Sequence, residues 1–462
     1  MTNLIVETSK YLMIFLFALY TYECFASFRS RLTEEKKNRI FRRQIVLMYL
    51  IHLDAFLAIY AVAGDELMIL FYAFQVIFAA ITISCYQLFY ENASRLLVNN
   101  MCMLLLIGFI MLTRLSVEKA EKQYIIAAVS MVFTLIIPLL IRKVKSLRKL
   151  TWLYGIIGIL GLLVVAILGA TSYGAKLAIS IAGVSIQPSE FIKILFVFFV
   201  ACMLYEKTDF KRVCITTVLA AAHVLILVAS RDLGGALIFF VTYLVMLYVA
   251  TRKIFYFAGG LLAGSIAAVL AYGMFSHVRV RVLAWSDPLS VIENEGYQIS
   301  QSLFAIGTGG WFGVGLYQGM PEKIPVVEQD FIFSAISEEL GGIFALCLIM
   351  VCVSCFLMFL NMAMQMKAQF YKLIALGLGT VYGFQVFLTI GGVIKFIPST
   401  GVTLPFVSYG GSSLLSTMIM FAIVQGLYIL RQDEGETNDR KQADGTTRRK
   451  KTRFDDEIED FS

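Results

Sequence analysis

Three groups of ionisable residues have the type and spacing to do chemistry. Asp330 ends a polar stretch and directly precedes the apolar run Phe331-Ile-Phe-Ser-Ala-Ile-Ser-Glu-Glu-Leu-Gly-Gly. A carboxylate at that point can cap the helix that follows, or act as a general base on a hydroxyl that approaches the rim of a membrane. The helix terminus would hold its pKa down, and partial burial would push it up. Glu190 and Lys193, in Gln187-Pro-Ser-Glu-Phe-Ile-Lys193, are three apart and share a helix face, where they neutralise each other. The pair either orients its helix or lines a polar cavity. Arg279 and Arg281 alternate in His277-Val-Arg-Val-Arg-Val-Leu-Ala-Trp-Ser-Asp287-Pro. On one face of an extended segment, or together at a helix end, two guanidinium groups can grip a pyrophosphate; the alternative is snorkelling to lipid headgroups. Other candidates are weaker. His52, His223 and His277 have no metal-ligand spacing, and Cys352 and Cys355 sit mid-span without a second pair, so no metal site is expected. Gly307-Thr-Gly-Gly-Trp-Phe-Gly-Val-Gly315 lacks the spacing of a phosphate loop and is read as a close-packed turn.

The elements that position these groups are membrane spans. Of 462 residues, 59% are hydrophobic and 15% charged, against about 25% charged in soluble domains; the mean hydropathy is +0.79. Apolar runs at 10–28, 44–63, 67–90, 101–114, 122–141, 151–172, 190–205, 213–229, 233–250, 254–275, 331–360, 372–393 and 408–430 predict an all-α, polytopic bundle of about 13 transmembrane helices. The first run lacks a basic leader and a cleavage site, so it is expected to stay as a helix. Three regions follow: added N-terminal spans over 1–95, a transmembrane core over 96–431, and a polar tail over 432–462 that is expected to be disordered. The tail's Arg448-Arg-Lys-Lys-Thr-Arg453 suits lipid headgroups or a partner.

Charge sets the orientation. One set of loops carries 20 Lys and Arg, seven of them in Arg29–Arg43, and the short opposite loops carry seven. The richer side is expected to be cytoplasmic, with the N-terminus outside and the C-terminus inside. Those basic loops suit anionic lipids, and no nucleic-acid partner is expected. The long loop 276–330, with six of the seven prolines on its side, faces outward. A connection of that length is usually functional, so the chemistry is expected on the outer face of the membrane.

Between the last two spans lies Pro398-Ser-Thr-Gly-Val-Thr-Leu-Pro405-Phe-Val-Ser408-Tyr-Gly-Gly-Ser-Ser413, polar and broken by Gly and Pro. Non-helical backbone at membrane depth survives only where protein or a wet cavity covers it, which predicts a re-entrant segment. This segment, the Asp-Phe-Ile-Phe…Glu-Glu-Leu-Gly run, the Gln-Pro-Ser-Glu-x-x-Lys run and Arg-x-Arg…Asp-Pro followed by Gly296-Tyr-Gln-Ile-Ser-Gln-Ser302 occur in the order found in the SEDS (shape, elongation, division and sporulation) family. The chain resembles that family, of the RodA, FtsW and SpoVE type, from about residue 100 to 431.

The resemblance implies a peptidoglycan glycosyltransferase that polymerises lipid II at the outer face of the bacterial cytoplasmic membrane, beside a class B penicillin-binding protein. It implies Asp330 as the catalytic base, and Arg279, Arg281, Glu190, Lys193, Lys176, Gln298, Ser408, Tyr409 and Ser412 as substrate-binding residues. No cofactor is required, although a divalent cation, Mg or Mn, is compatible with a pyrophosphate leaving group. Three features depart from the family's pattern: the added N-terminal spans, Gly174-Ala-Lys-Leu-Ala178 in place of Gly-Ala-x-Arg-Trp, and Ser230-Arg-Asp232 in place of Gln-Pro-Asp. Arg231 is a candidate to supply the lost charge. Two other readings are a lipid II flippase, which needs a polar path through both leaflets, and a scaffold with weakened catalysis. The inner half of the spans carries few polar residues, which favours the enzyme.

Overall fold

The computed structural model describes residues 2–29, 32–172, 175–181 and 184–433. The tail beyond 433, including Arg448–Arg453, lies outside the described residues. Apolar runs become helices because each satisfies its own backbone, and short polar breaks supply the caps. Helices α1 (Thr2–Ala26), α2 (Glu34–Ala63) and α3 (Leu67–Phe89) form the N-terminal part. The side chain of Thr33 caps α2 at its start, and Gly64 ends it in the left-handed conformation. Then come α4 (Arg95–Leu115), α5 (Val117–Thr134) and α6 (Ile137–Lys143). Ser94 and Ser116 cap α4 and α5, while Pro138 opens α6 and bends the span it shares with α5.

Helix α7 (Thr151–Leu168) leads into three short antiparallel strands, β1 (Ala170–Ser172), β2 (Ala175–Ile181) and β3 (Val184–Ile186), in the order β1-β2-β3. Thr171 faces Lys176, and Ser180 faces Ser185. The expected span 151–172 thus stops at Leu168, and the bundle carries a small sheet that the apolar run concealed. Its sequence, Ala178-Ile-Ser-Ile, has the period of two that suits a half-buried strand.

The remaining helices are α8 (Pro188–Leu204), α9 (Phe210–Ala229), α10 (Leu233–Thr251), α11 (Ile254–Met274), α12 (Ser276–Ser286), α13 (Tyr297–Gly309), α14 (Ile332–Gln365), α15 (Gln369–Val393) and α16 (Gly411–Asp433). Among the described residues, twelve helices are long and apolar enough to cross a membrane; α8, with 17 residues, is a shorter helix buried without a break from Phe196 to Leu204. Loop 276–330, expected as an unbroken connection, contains α12, α13 and a 3-10 turn at Pro321–Lys323.

Helix α4 sits at the centre, buried on every side from Leu96 to Thr113. At the opposite extreme, α11 has no buried residue at all and packs closely only on α10 and α12, so the rest of its circumference faces lipid. Helix α14 is broken at Gly341 (φ 88, ψ 165). The turn after α13 fills the break: Val314 and Gly315 donate to the carbonyls of Glu338 and Glu339 at 3.0 and 2.8 Å, and Gly342 and Ile343 donate to those of Gly310 and Trp311 at 2.8 and 3.1 Å. The glycine run thus serves as a close-packed turn that satisfies an interrupted helix.

Candidate active site

The residues of the polar segment between α15 and α16 run without helix from Lys395 to Gly410 and are largely enclosed by protein. Ser408 Oγ accepts from the Leu404 N–H at 2.8 Å and closes a tight turn, in which Phe406 adopts φ 67. Gln123 of α5 holds both sides of the turn: its amide donates to the Ser408 carbonyl at 3.1 Å and accepts from the Gly410 N–H at 3.2 Å. A Cβ on Gly108 of α4 would lie 2.8 Å from the carbonyl oxygens of Phe406 and Val407, so the turn presses directly on the central helix. Tyr409 donates its N–H to the Glu328 carbonyl at 2.8 Å, and Ser412 Oγ accepts from the Gln187 N–H at 3.0 Å. Ser408, Tyr409 and Ser412 therefore hold backbone in place.

That anchored segment meets Asp330. Gly401 stands against the carboxylate, with Oδ2 3.9 Å from where a Cβ would be. The cap position of α14 is taken by Phe331 and has no side-chain cap bond, so Asp330 is not used as a helix cap. Arg281 of α12 donates to the Ser399 carbonyl at 2.9 Å, and its guanidinium feels the carboxylates of both Asp330 and Asp232. Asp330 is half-buried. Burial pushes its pKa up to about 6, opposed by its own backbone N–H and Arg281, and reinforced by Glu328. Burial acts as the sequence led one to expect, whereas the lowering comes from the residue's own backbone N–H and Arg281 and not from the helix terminus.

Arg279 goes elsewhere. Helix α12 turns the two-residue spacing into roughly opposite faces, and Arg279 is exposed, donating to the Gly273 carbonyl at 2.8 Å. The structure does not bring the two arginines together. Trp285 on the same helix donates to the Lys395 carbonyl at 3.1 Å and fixes α12 to the segment. Gln298 of α13 donates to the Pro325 carbonyl at 2.8 Å and so braces the turn that carries Asp330. Lys176 lies on β2 opposite Thr171; its side chain and Gly174 are outside the described set.

Glu190 and Lys193 do pair, at 2.7 Å, with the lysine side chain 3% exposed. Lys193 also donates to Gln385 Oε1 at 2.8 Å, and Ser416 donates to Glu190 Oε2 at 2.9 Å. Gln385 passes the network on to the Thr403 carbonyl at 3.1 Å. The pair thus cross-links α8, α15, α16 and the polar segment.

Sequence reasoning missed Asp232 as a site residue. It caps α10 by accepting from the Gly235 N–H at 2.8 Å, and it accepts from Ser189 at 3.4 Å. The acid was visible in the altered Ser230-Arg-Asp232 triplet; its proximity to Arg281 was not. Gln385 was also missed, although a lone amide in the apolar run Gly383-Phe-Gln385-Val is itself a signal. Burial holds the pKa of His277 down, and Arg231 and Arg281 beside it push the same way. Among the described residues no group of three or more His, Cys, Asp or Glu could hold a metal ion.

The family model described as "Cell cycle protein" (FTSW_RODA_SPOVE) matches residues 94–432. The chain is 35% identical over 347 residues to the peptidoglycan glycosyltransferase RodA of Mycobacterium tuberculosis, covering 69% of this chain and 74% of that one. A solved chain from a study of polymerization and crosslinking by a peptidoglycan synthase complex superposes with a TM-score of 0.63 at 23% identity, covering 73% of this chain and 98% of that chain. The rod shape determining protein RodA of Thermus thermophilus superposes with a TM-score of 0.54 at 21% identity, covering 73% and 96%. With a family match across most of its length and the family's motifs gathered around Asp330, the chain belongs to the FtsW/RodA/SpoVE family of cell cycle proteins.

Proposed function

We propose that this protein polymerises lipid II into glycan strands at the outer face of the bacterial cytoplasmic membrane. The observation that carries the reading is Asp330: an acid with a pKa near 6, facing an arginine held by the backbone of the polar segment. Asp330 takes the proton of the GlcNAc 4-hydroxyl of one lipid II as that oxygen attacks C1 of the MurNAc at the lipid-linked end of the growing strand. The configuration at C1 inverts, the C1–O bond to undecaprenyl pyrophosphate breaks, and the bonding pair leaves with the pyrophosphate. Such a leaving group needs positive charge more than a proton, so one base suffices. Arg281 supplies that charge. A divalent cation, Mg or Mn, would add positive charge at the pyrophosphate and take most of its shell from phosphate and water, as Mg ordinarily does, leaving Asp330 free to accept the proton. The lipid-exposed α11 gives polyprenyl chains a route to α12 from the bilayer.

The N-terminus is assigned to the outside and the C-terminus to the cytoplasm, from the loop charges. The partner is assigned as a class B penicillin-binding protein, since one similar fold comes from a peptidoglycan synthase complex. The test is purified protein with fluorescent lipid II, alone and with such a partner. Wild type yields glycan polymer, and Asp330→Asn, folded to the same melting temperature, loses about 10²- to 10⁴-fold in rate. Unchanged polymer from that variant removes the assignment; lipid II crossing vesicles without polymer points to a flippase.

A further inference from the structure

The turn that fills the break in α14 is gripped by α1, which lies outside the stretch matched by the family. The ammonium of Lys10, whose side chain is 10% exposed, donates to the Gly313 carbonyl at 3.2 Å and pairs with Glu7 at 2.8 Å. A charged donor makes a stronger bond to a carbonyl than a neutral one does. The rings of Tyr11 and Phe312 pack with centroids 5.7 Å apart, and a Cβ on Gly315 would lie 2.7 Å from Val6 Cγ1. Helix α1 is itself held from behind, where Ser9 donates to Asp54 of α2 at 2.9 Å.

The grip bears on Asp330 because of what the turn belongs to. It continues α13, and α13 packs along the first half of α14. A Cβ on Gly309 would lie 2.0 Å from the Ser337 carbonyl oxygen, and Ser302 and Ser334 share a hydrogen bond at 2.6 Å. At the other end of α13, Gln298 holds Pro325. Helix α13, its turn and residues 332–340 thus form one body, with Asp330 at one end and Gly313 at the other; the half-helix alone is about 13 Å long. Arg281 and Gly401 belong to a second body, since Arg281 is bound to the Ser399 carbonyl of the polar segment. The two bodies are tied toward the Asp330 end, by Tyr409 to the Glu328 carbonyl and by Ser302 to the Val393 carbonyl. Ties near one end fix a pivot and leave the angle to contacts at the far end. We propose that Lys10 is a positioning residue: through the Gly313 carbonyl it sets the angle at which Asp330 meets Arg281. This role rests on the reaction assigned to Asp330 above, and it gives the added helix α1 a part in that reaction.

The experiment separates position from stability. Full-length Lys10→Met is compared with wild type in nanodiscs, for lipid II polymerisation and for backbone hydrogen exchange. At a temperature where both are fully folded, kcat is expected to fall about tenfold, well inside the roughly hundredfold that a misplacement of about 1 Å costs. KM for lipid II stays unchanged. The acid limb of kcat against pH moves to higher pH, because Asp330 swings away from an Arg281 that the polar segment retains. Lys10→Arg recovers most of the rate. Exchange quickens at 310–315 and also at 324–331, the far end of the body. Tyr11→Leu, at a residue 48% exposed, gives a smaller change of the same sign and carries the test where Lys10→Met does not fold. A folded Lys10→Met with wild-type kcat overturns the proposal, and so does a lower rate with the limb unmoved, which marks a purely structural role. Faster exchange at both ends with no glycan from wild type leaves the coupling standing and removes the glycosyltransferase reading. Glycan from wild type, with exchange at 324–331 unaltered by Lys10→Met, does the reverse.

Discussion

A single carboxylate carries the chemistry, and its surroundings set when it works. Asp330 is ionised above a pKa of about 6 and protonated below it. Only the ionised form accepts a proton, so polymer formation at saturating substrate is expected to fall about tenfold per pH unit below that point. Two neighbours push in opposite directions. Arg281→Gln removes a charge that favours the carboxylate, and the acid limb of the rate profile moves to higher pH. Glu328→Gln removes a repelling anion, and the limb moves to lower pH. Shifts of the same sign in both variants, read from kcat against pH, would contradict this electrostatic account. The buried pair behaves differently, because its role is structural. Lys193→Met leaves Glu190 charged among α8, α15 and α16, with Ser416 its remaining partner from the network. The expected loss is about 3–5 kcal/mol, seen as a lower unfolding temperature in detergent, with the double change Glu190→Gln/Lys193→Met recovering part of it.

At the scale of elements, legibility in the sequence followed how strongly each segment fixes itself. Spans such as α10, α14 and α15 are long apolar runs, and their positions are set by the need to bury backbone in lipid. The re-entrant segment was equally plain, since Pro398, Gly401 and Pro405 forbid a helix where lipid forbids open backbone. Helix α12 was hidden for the opposite reason. Its Val-Arg-Val-Arg pattern alternates like a strand, it has no side-chain cap, and its helical form rests on Arg281 and Trp285 reaching carbonyls more than a hundred residues away. Hence the helix brings Arg281 to the polar segment beside Asp330 and turns Arg279 away from it. The break in α14 lies between these cases: Gly341 and Gly342 signal it, but only the turn at 310–315 shows why it is needed. Gly341 occupies a region of backbone space open essentially to glycine, and a Cβ there would lie 2.4 Å from the Gly313 N. Gly341→Ala should therefore cost at least about 1–3 kcal/mol from backbone strain alone. It should also lower polymer yield, because the half-helix it displaces begins at Ile332, two residues after Asp330. Gly342→Ala, whose Cβ would meet the Gly310 carbonyl at 3.1 Å, serves as the milder comparison in the same melting assay.

Across the whole molecule, the added N-terminal helices are integrated with the family core. Helix α1 lies on α14, and α2 lies on α4. The rings of Phe17 and Phe344 pack with centroids 4.4 Å apart, tilted by 36°, and Lys10 donates to the Gly313 carbonyl at 3.2 Å, on the turn that fills the α14 break. Polar groups in the apolar interior are satisfied across this boundary: Tyr20 donates to Asn100 at 3.0 Å and Asn99 to Gln44 at 2.9 Å, while Asn100 also donates to Ser354 of α14 at 2.7 Å. Removing residues 1–93 would therefore present the central helix α4 to lipid, with Asn99 and Asn100 each short of a partner. An unsatisfied buried group costs about 1–3 kcal/mol, and the bilayer offers no water to replace the lost bonds. The shortened chain is expected to aggregate on extraction or to melt well below the full protein. Asn99→Leu/Asn100→Leu in that shortened chain should recover part of the loss, because the orphaned amides are then gone. A truncated chain that stays monodisperse and equally stable in size-exclusion and melting measurements would mean that α1–α3 are a separable attachment, and that the core closes over α4 without them.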